Sequence, residues 1–115
     1  WVSEHHNSAS IIGTAPEVTR PDPVKVLSGD PVHTTWSREE TDGLYAGLWQ
    51  STPGKWRVSY SEWEYFRILS GYSILTGEDG SVTQLHAGDS LILRPGFTGT
   101  WEAVETTLKD YVIRT

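Results

Sequence analysis

Cysteine is absent from the 115 residues, which excludes disulfides, zinc ribbons and thiol nucleophiles. Basic residues are few: nine Lys and Arg stand against fifteen Asp and Glu, for a formal charge of -6, and no cluster of Lys and Arg occurs. Nucleic acid needs a basic footprint to displace counterions, so it is not expected as a partner. An anionic membrane surface is disfavoured for the same reason. No apolar run approaches the roughly 18 residues of a membrane span. The opening "WVSEHHNSAS" lacks the basic start and apolar stretch of a secretory leader, which makes the cytoplasm the default compartment. The sequence opens on Trp1 rather than Met, which is compatible with removal of a leader. Also missing are a Gly-rich phosphate loop leading into a helix, a G-x-S-x-G elbow and an H-E-x-x-H pair. The acidic turns "GEDG" and "AGD" fit hairpins better than a calcium loop.

What is present is the material of one folded domain. Hydrophobic residues make up 37% and charged residues 21% of the chain, the balance of a globular protein rather than a disordered one. At this length one core forms, not two. Residues 1–31, rich in Ser, Thr and Pro, show no helical period and are expected to form an extended arm with one or two short strands. Ile11 and Ile12 are the arm's apolar pair, suited to lying against a partner subunit or against their own domain.

Residues 32–115 are expected to form the main β-domain. From Trp36 onwards short strand-like runs alternate with the turns "SREETDG", "STPG", "LSG", "GEDG", "HAGD" and "RPG", each carrying Gly beside Pro, Asp or Ser. In "KWRVSYS", Trp56, Val58 and Tyr60 alternate with Lys55, Arg57, Ser59 and Ser61, the period of a half-buried strand. The runs "LILR", "GTWEAV" and "LKDYVI" supply further strands. Many short antiparallel strands without helical intervals predict an all-β barrel or jelly roll.

At this point the residues are similar to those of a known family. A "PG" before an alternating strand, a Glu seven residues before "G", an "EDG" hairpin, "AGDS" and "GTWE" follow in order between residues 36 and 114. In this the chain resembles the small single-domain cupins, in the group that includes the ethanolamine-utilisation cupin and the ureidoglycine aminohydrolase-like proteins. The resemblance implies a double-stranded β-helix, the RmlC-like jelly-roll barrel, with a site in its mouth. In metal-binding cupins a first motif supplies two histidines two apart and a Glu four beyond the second, and a second motif supplies a third histidine. Carried onto this sequence, those positions are Val58, Tyr60, Glu64 and Gly99, so one ligand of four is kept. A transition metal at a catalytic site normally takes three or more side-chain donors. The expectation is therefore no three-histidine centre and no cofactor, with a divalent metal on an atypical ligand set left open.

The expected pocket combines the strand face of Trp56, Val58 and Tyr60 with Glu64, Gly99 and Trp101, joined by Lys109 and Tyr111, which match positions that recur in the family. Glu64 shares the phase of Tyr60 only if the turn between them does not slip register. Trp101 either floors a pocket, with the gap at Gly99 leaving room above it, or fills the core. Lys109 either neutralises Glu64, Glu102 or a bound carboxylate, or stands solvated at an edge. Histidines 5, 6, 33 and 86 each read most simply as exposed.

Three readings of function follow. In the first, the barrel binds a small polar metabolite without catalysis. In the second, a metal-independent enzyme of isomerase or C–N hydrolase type uses Glu64 as acid or base, with Tyr60 assisting. In the third, an atypical metal site operates. A second titratable group facing Glu64 separates the first two, and histidine would be the strongest. A homodimer is expected, because the arm has little core of its own and edge strands need cover.

Overall fold

The computed structural model describes residues 15–115; Ile11, Ile12, His5 and His6, discussed above, lie outside the described residues. Within them the chain forms eleven strands. They are β1 (Glu17–Thr19), β2 (Val26–Gly29), β3 (His33–Thr41), β4 (Leu44–Ser51), β5 (Gly54–Tyr60) and β6 (Trp63–Ser70), followed by β7 (Tyr72–Gly77), β8 (Val82–His86), β9 (Ser90–Leu93), β10 (Phe97–Ala103) and β11 (Thr107–Arg114). The one helical element among the described residues is a single 3-10 turn, Pro23–Lys25. No helix among them is long and apolar enough to cross a membrane.

The strands make two antiparallel sheets, one ordered β1-β3-β4-β11-β6-β9 and the other β2-β5-β10-β7-β8. This is the all-β jelly roll that the turn spacing predicts. From the N-terminal segment, β1 pairs with β3 at the edge of the first sheet and β2 with β5 at the edge of the second. Edges are where a proline-rich segment is tolerated, since proline cannot donate into a central ladder.

Alternation places the core. On β5, Trp56 points inward and is buried while Arg57 and Ser59 face solvent. On β6, Glu64, Phe66 and Ile68 are buried and Arg67 is exposed. Together with Leu75, Leu85, Leu93, Trp101 and Ala103 these apolar groups form one cluster between the sheets, removing apolar surface from water at about 25 cal/mol per Å2.

The phase relation between Tyr60 and Glu64 has a different origin from the one the spacing suggests. Tyr60 ends β5 in one sheet and Glu64 lies on β6 in the other. The two residues between the strands carry the chain across the barrel, and both side chains point inward from opposite walls. Register across a single sheet plays no part.

Candidate functional site

Both sheets contribute to a cavity of about 540 Å3, within the usual size range of small-molecule pockets. The second sheet supplies Trp56 and Tyr60 from β5 and Trp101 from β10. The first supplies Glu64 from β6 and Lys109 and Tyr111 from β11. These six residues, drawn from the expected site, are therefore brought together around one space.

At the inner end of the cavity lies a buried ion pair. Lys109 Nζ donates to Glu64 Oε2 at 2.8 Å, and the two residues are 5% and 4% exposed. The ammonium also faces three rings, 4.8 Å from the centroid of Trp49, 4.5 Å from Phe66 and 4.7 Å from Trp101. Such cation–π contacts strengthen when water is excluded. Of the roles considered for Lys109, neutralising Glu64 is the one the geometry displays.

Trp101 both packs and lines. It is 1% exposed, stacks on Trp56 with centroids 6.5 Å apart and meets Trp49 edge-on at 5.6 Å. Its indole Nε1 donates to Ser73 Oγ at 3.0 Å, and Ser73 Oγ lies 2.7 Å from Thr107 Oγ1. Thr107 donates in turn to the Glu105 carbonyl at 2.9 Å, so the serine hydroxyl hydrogen points to Thr107. A buried indole needs such a partner, and the chain of hydroxyls fixes the ring plane.

Two expected pocket residues are not in the lining. Val58 packs partly buried against the core cluster. Gly99 stands between Val58 and Gly77 in the ladder, and a Cβ built on it would collide with the Thr76 carbonyl oxygen. The space expected above Trp101 is thus filled by the backbone of β7. Glycine is needed there for close approach of two strands.

His33 differs from its reading as an exposed residue. At the start of β3 its imidazole lies against two indoles, with centroids 4.6 Å from Trp56 and 5.0 Å from Trp49, and it lines the same cavity. Burial, and next the charge of Lys109, bring its pKa down to about 4, so the ring is neutral at physiological pH. Its Nε2 is buried and has no hydrogen-bond partner among the described residues. His86, by contrast, is exposed, stacked on Tyr72 at 4.6 Å and near Asp89.

Sequence reasoning missed His33 because Pro31 and the arm precede it, leaving no alternating run to declare its face. Trp49 was also missed. The signal was available in "LYAGLWQS", where Tyr45, Gly47, Trp49 and Ser51 share one phase.

The tyrosines are kept un-ionised. Burial first and the Glu64 carboxylate second push the Tyr60 phenol up. Tyr111 is raised by burial and then by Glu40, Glu64 and Glu17. Each therefore presents a protonated hydroxyl able to donate a hydrogen bond, rather than an anion.

Among the described residues no group of three or more His, Asp, Glu or Cys side chains converges to hold a metal. The donor set does not fit the three-histidine centre of the motif, since the Glu64 carboxylate is engaged by Lys109 and Val58, Tyr60 and Gly99 supply no imidazole.

A two-sheet jelly roll with a polar, aromatic-walled cavity between its sheets defines a cupin. Residues 38–111 match the EutQ-like cupin domain, and the chain belongs to that family. No match is found among curated proteins. Solved structures share the fold. A protein of unknown function from Pseudomonas syringae pv. tomato, of the DUF861 family, superposes with a TM-score of 0.77 at 22% identity over 90% of this chain and 46% of its own. The chain thus spans less than half the length of that protein. The EutQ protein of Clostridium difficile gives a TM-score of 0.67 at 13% identity, covering 73% of this chain and 63% of its own. An ethanolamine utilisation protein Q from Salmonella typhimurium LT2 gives 0.66 at 17%, covering 89% and 98%.

Proposed function

We propose that this cupin binds a small polar metabolite in the cavity between its sheets, with no transition metal in the site. The observation that carries the reading is the Glu64–Lys109 pair at the inner end of an aromatic-walled cavity. A buried ion pair is a weak device for stability, because desolvating both charges offsets much of their attraction. Placed where a ligand can reach it, the pair offers one acceptor and one donor of opposite sign. The indoles of Trp49, Trp56 and Trp101 supply the apolar walls that usually surround such polar groups in a binding site. Neutral His33 adds a further polar contact, and un-ionised Tyr60 and Tyr111 add donors.

Titration of the purified chain with short-chain carboxylates, amines and aldehydes, followed by tryptophan fluorescence, tests this. Saturable quenching that is lost in Trp49→Phe or Trp56→Phe is expected for at least one class. Non-saturable, class-independent quenching, together with an unoccupied barrel by native mass spectrometry, would overturn it.

The enzyme reading, with Glu64 as acid or base, gains from one observation: a histidine lines the cavity of Glu64, as an acid–base pair requires. Its pKa of about 4 suits it to accept a hydrogen bond or a proton in a transition state, not to arrive protonated. Turnover of a bound ligand that His33→Gln abolishes while binding persists would favour this reading over simple recognition.

A further inference from the structure

We infer that Lys109 is a carbonyl-reactive amine and that the ligands of this cavity include small aldehydes or ketones, which it captures as a protonated imine. The inference rests on the binding reading above, because a carbonyl compound must first enter the cavity.

The chain has three lysines, and they differ in setting. Lys25 is exposed on the 3-10 turn and Lys55 is partly exposed on β5, whereas Lys109 is almost wholly buried and lines the cavity. Its amine carries what imine formation needs. A proton acceptor sits in contact, since Glu64 Oε2 is 2.8 Å from Nζ. Transfer of one ammonium proton to that oxygen leaves a neutral amine whose lone pair attacks the carbonyl carbon, and as the C–N bond forms the attacking nitrogen gives up a second proton to the carbonyl oxygen, leaving a neutral carbinolamine. The carbinolamine then loses its hydroxyl as water with the proton returned from Glu64. The sum is ammonium plus carbonyl giving iminium plus water, with no oxidant, reductant or further reactant.

The rings of Trp49, Phe66 and Trp101 around Nζ serve both ends of that sequence. Ammonium and iminium each carry one positive charge at nearly the same point, so the π-faces and the carboxylate that hold the first also hold the second without rearrangement. The same rings keep water from the C=N bond, which slows its hydrolysis. Buried lysines are the usual Schiff-base formers among side chains.

The test is reductive trapping on the intact wild-type chain. Propionaldehyde and pyruvate are each added with cyanoborohydride at neutral pH, and adducts are mapped by peptide mass spectrometry. Lys109 is expected to be alkylated at least tenfold faster than Lys25 and Lys55. In Glu64→Gln the Lys109 rate should drop at least tenfold while the other two are unchanged. Alkylation of Lys25 and Lys55 at rates equal to or above that of Lys109 overturns the inference. If propionaldehyde quenches tryptophan fluorescence saturably but Lys109 is not trapped, binding stands and the covalent step falls. If it neither quenches nor is trapped, the covalent inference falls, and the binding reading then depends on the carboxylate and amine titrations.

Discussion

Glu64 stands opposite Ile113 in the ladder and Lys109 stands opposite Ile68, yet their side chains meet at 2.8 Å. The two are offset by four residues along β11, so each must lean along the barrel to reach the other. The register shifts between Leu108 and Lys109, where β6 carries one extra residue, Leu69, between Ser70 and Ile68, an irregularity that locally bends and twists the ladder beside the lysine.

Because both charges are buried, removing one leaves the other uncompensated. Glu64→Gln and Lys109→Met are each expected to lower stability by about 3–5 kcal/mol, and the double replacement to recover most of that loss. Urea unfolding of the four proteins measures the coupling. Additive losses would show that the pair is solvated in solution.

His33 gives the protein an acid-sensitive window. Its folded pKa of about 4 lies below the ordinary 6.5, so between these values the unfolded chain binds more protons than the folded one. Stability should fall as pH drops from 6.5 towards 4 and level off below. After discounting for screening of a half-buried ring, the effect is about 1–2 kcal/mol. Asp79, held below its usual range chiefly by hydrogen bonds from Ser81, loses its contribution only at lower pH, so the windows separate. Besides Lys109, the titratable side chains lining the cavity with His33 are Glu62, Glu64, Tyr45, Tyr60 and Tyr111. His33→Phe should flatten the midpoint-against-pH curve in the upper window; an unchanged curve would show that His33 does not carry it.

Ser73→Ala removes the acceptor of the Trp101 indole N–H and the hydroxyl beside Thr107. Both serine and threonine are fully buried, so no bulk water replaces the lost partner. A cost of about 1–3 kcal/mol is expected, with a shifted near-ultraviolet dichroism signal from the freed ring. A loss below roughly 0.5 kcal/mol, within the scatter of surface replacements, would mean that the ring finds another acceptor.

The fold was legible in the sequence because its turns are punctuated and its strands alternate. "KWRVSYS" declares its buried face through Trp56 and Tyr60, and β5 follows that pattern. The site was half legible. Tyr60 and Glu64 stand at the family's motif positions, Trp101 shares a strand phase with Gly99, Lys109 matches a position that recurs in the family, and all four line one cavity. His33 was not legible, since its burial arises from contact with Trp49 and Trp56 across two sheets, a relation that no local period encodes. Gly99 misled for a related reason: a missing side chain reads as space until the neighbouring strand is seen to occupy it.

Gly99→Ala is accordingly expected to destabilise by about 1–3 kcal/mol through overpacking, because its methyl would press on the Thr76 carbonyl rather than enter the cavity. Thermal unfolding reports this, and an unchanged midpoint would show that β7 and β10 separate easily.

The contact of β10 with β7 also bears on reversibility. Histidines can be written back at Val58 and Tyr60, where side chains already stand, but not at Gly99 without parting two paired strands at the Thr76 carbonyl. Conversion of this barrel into a three-histidine metalloprotein is therefore barred at the level of the main chain. An engineer wishing to take that route would have to reset the spacing of the sheet before changing any ligand.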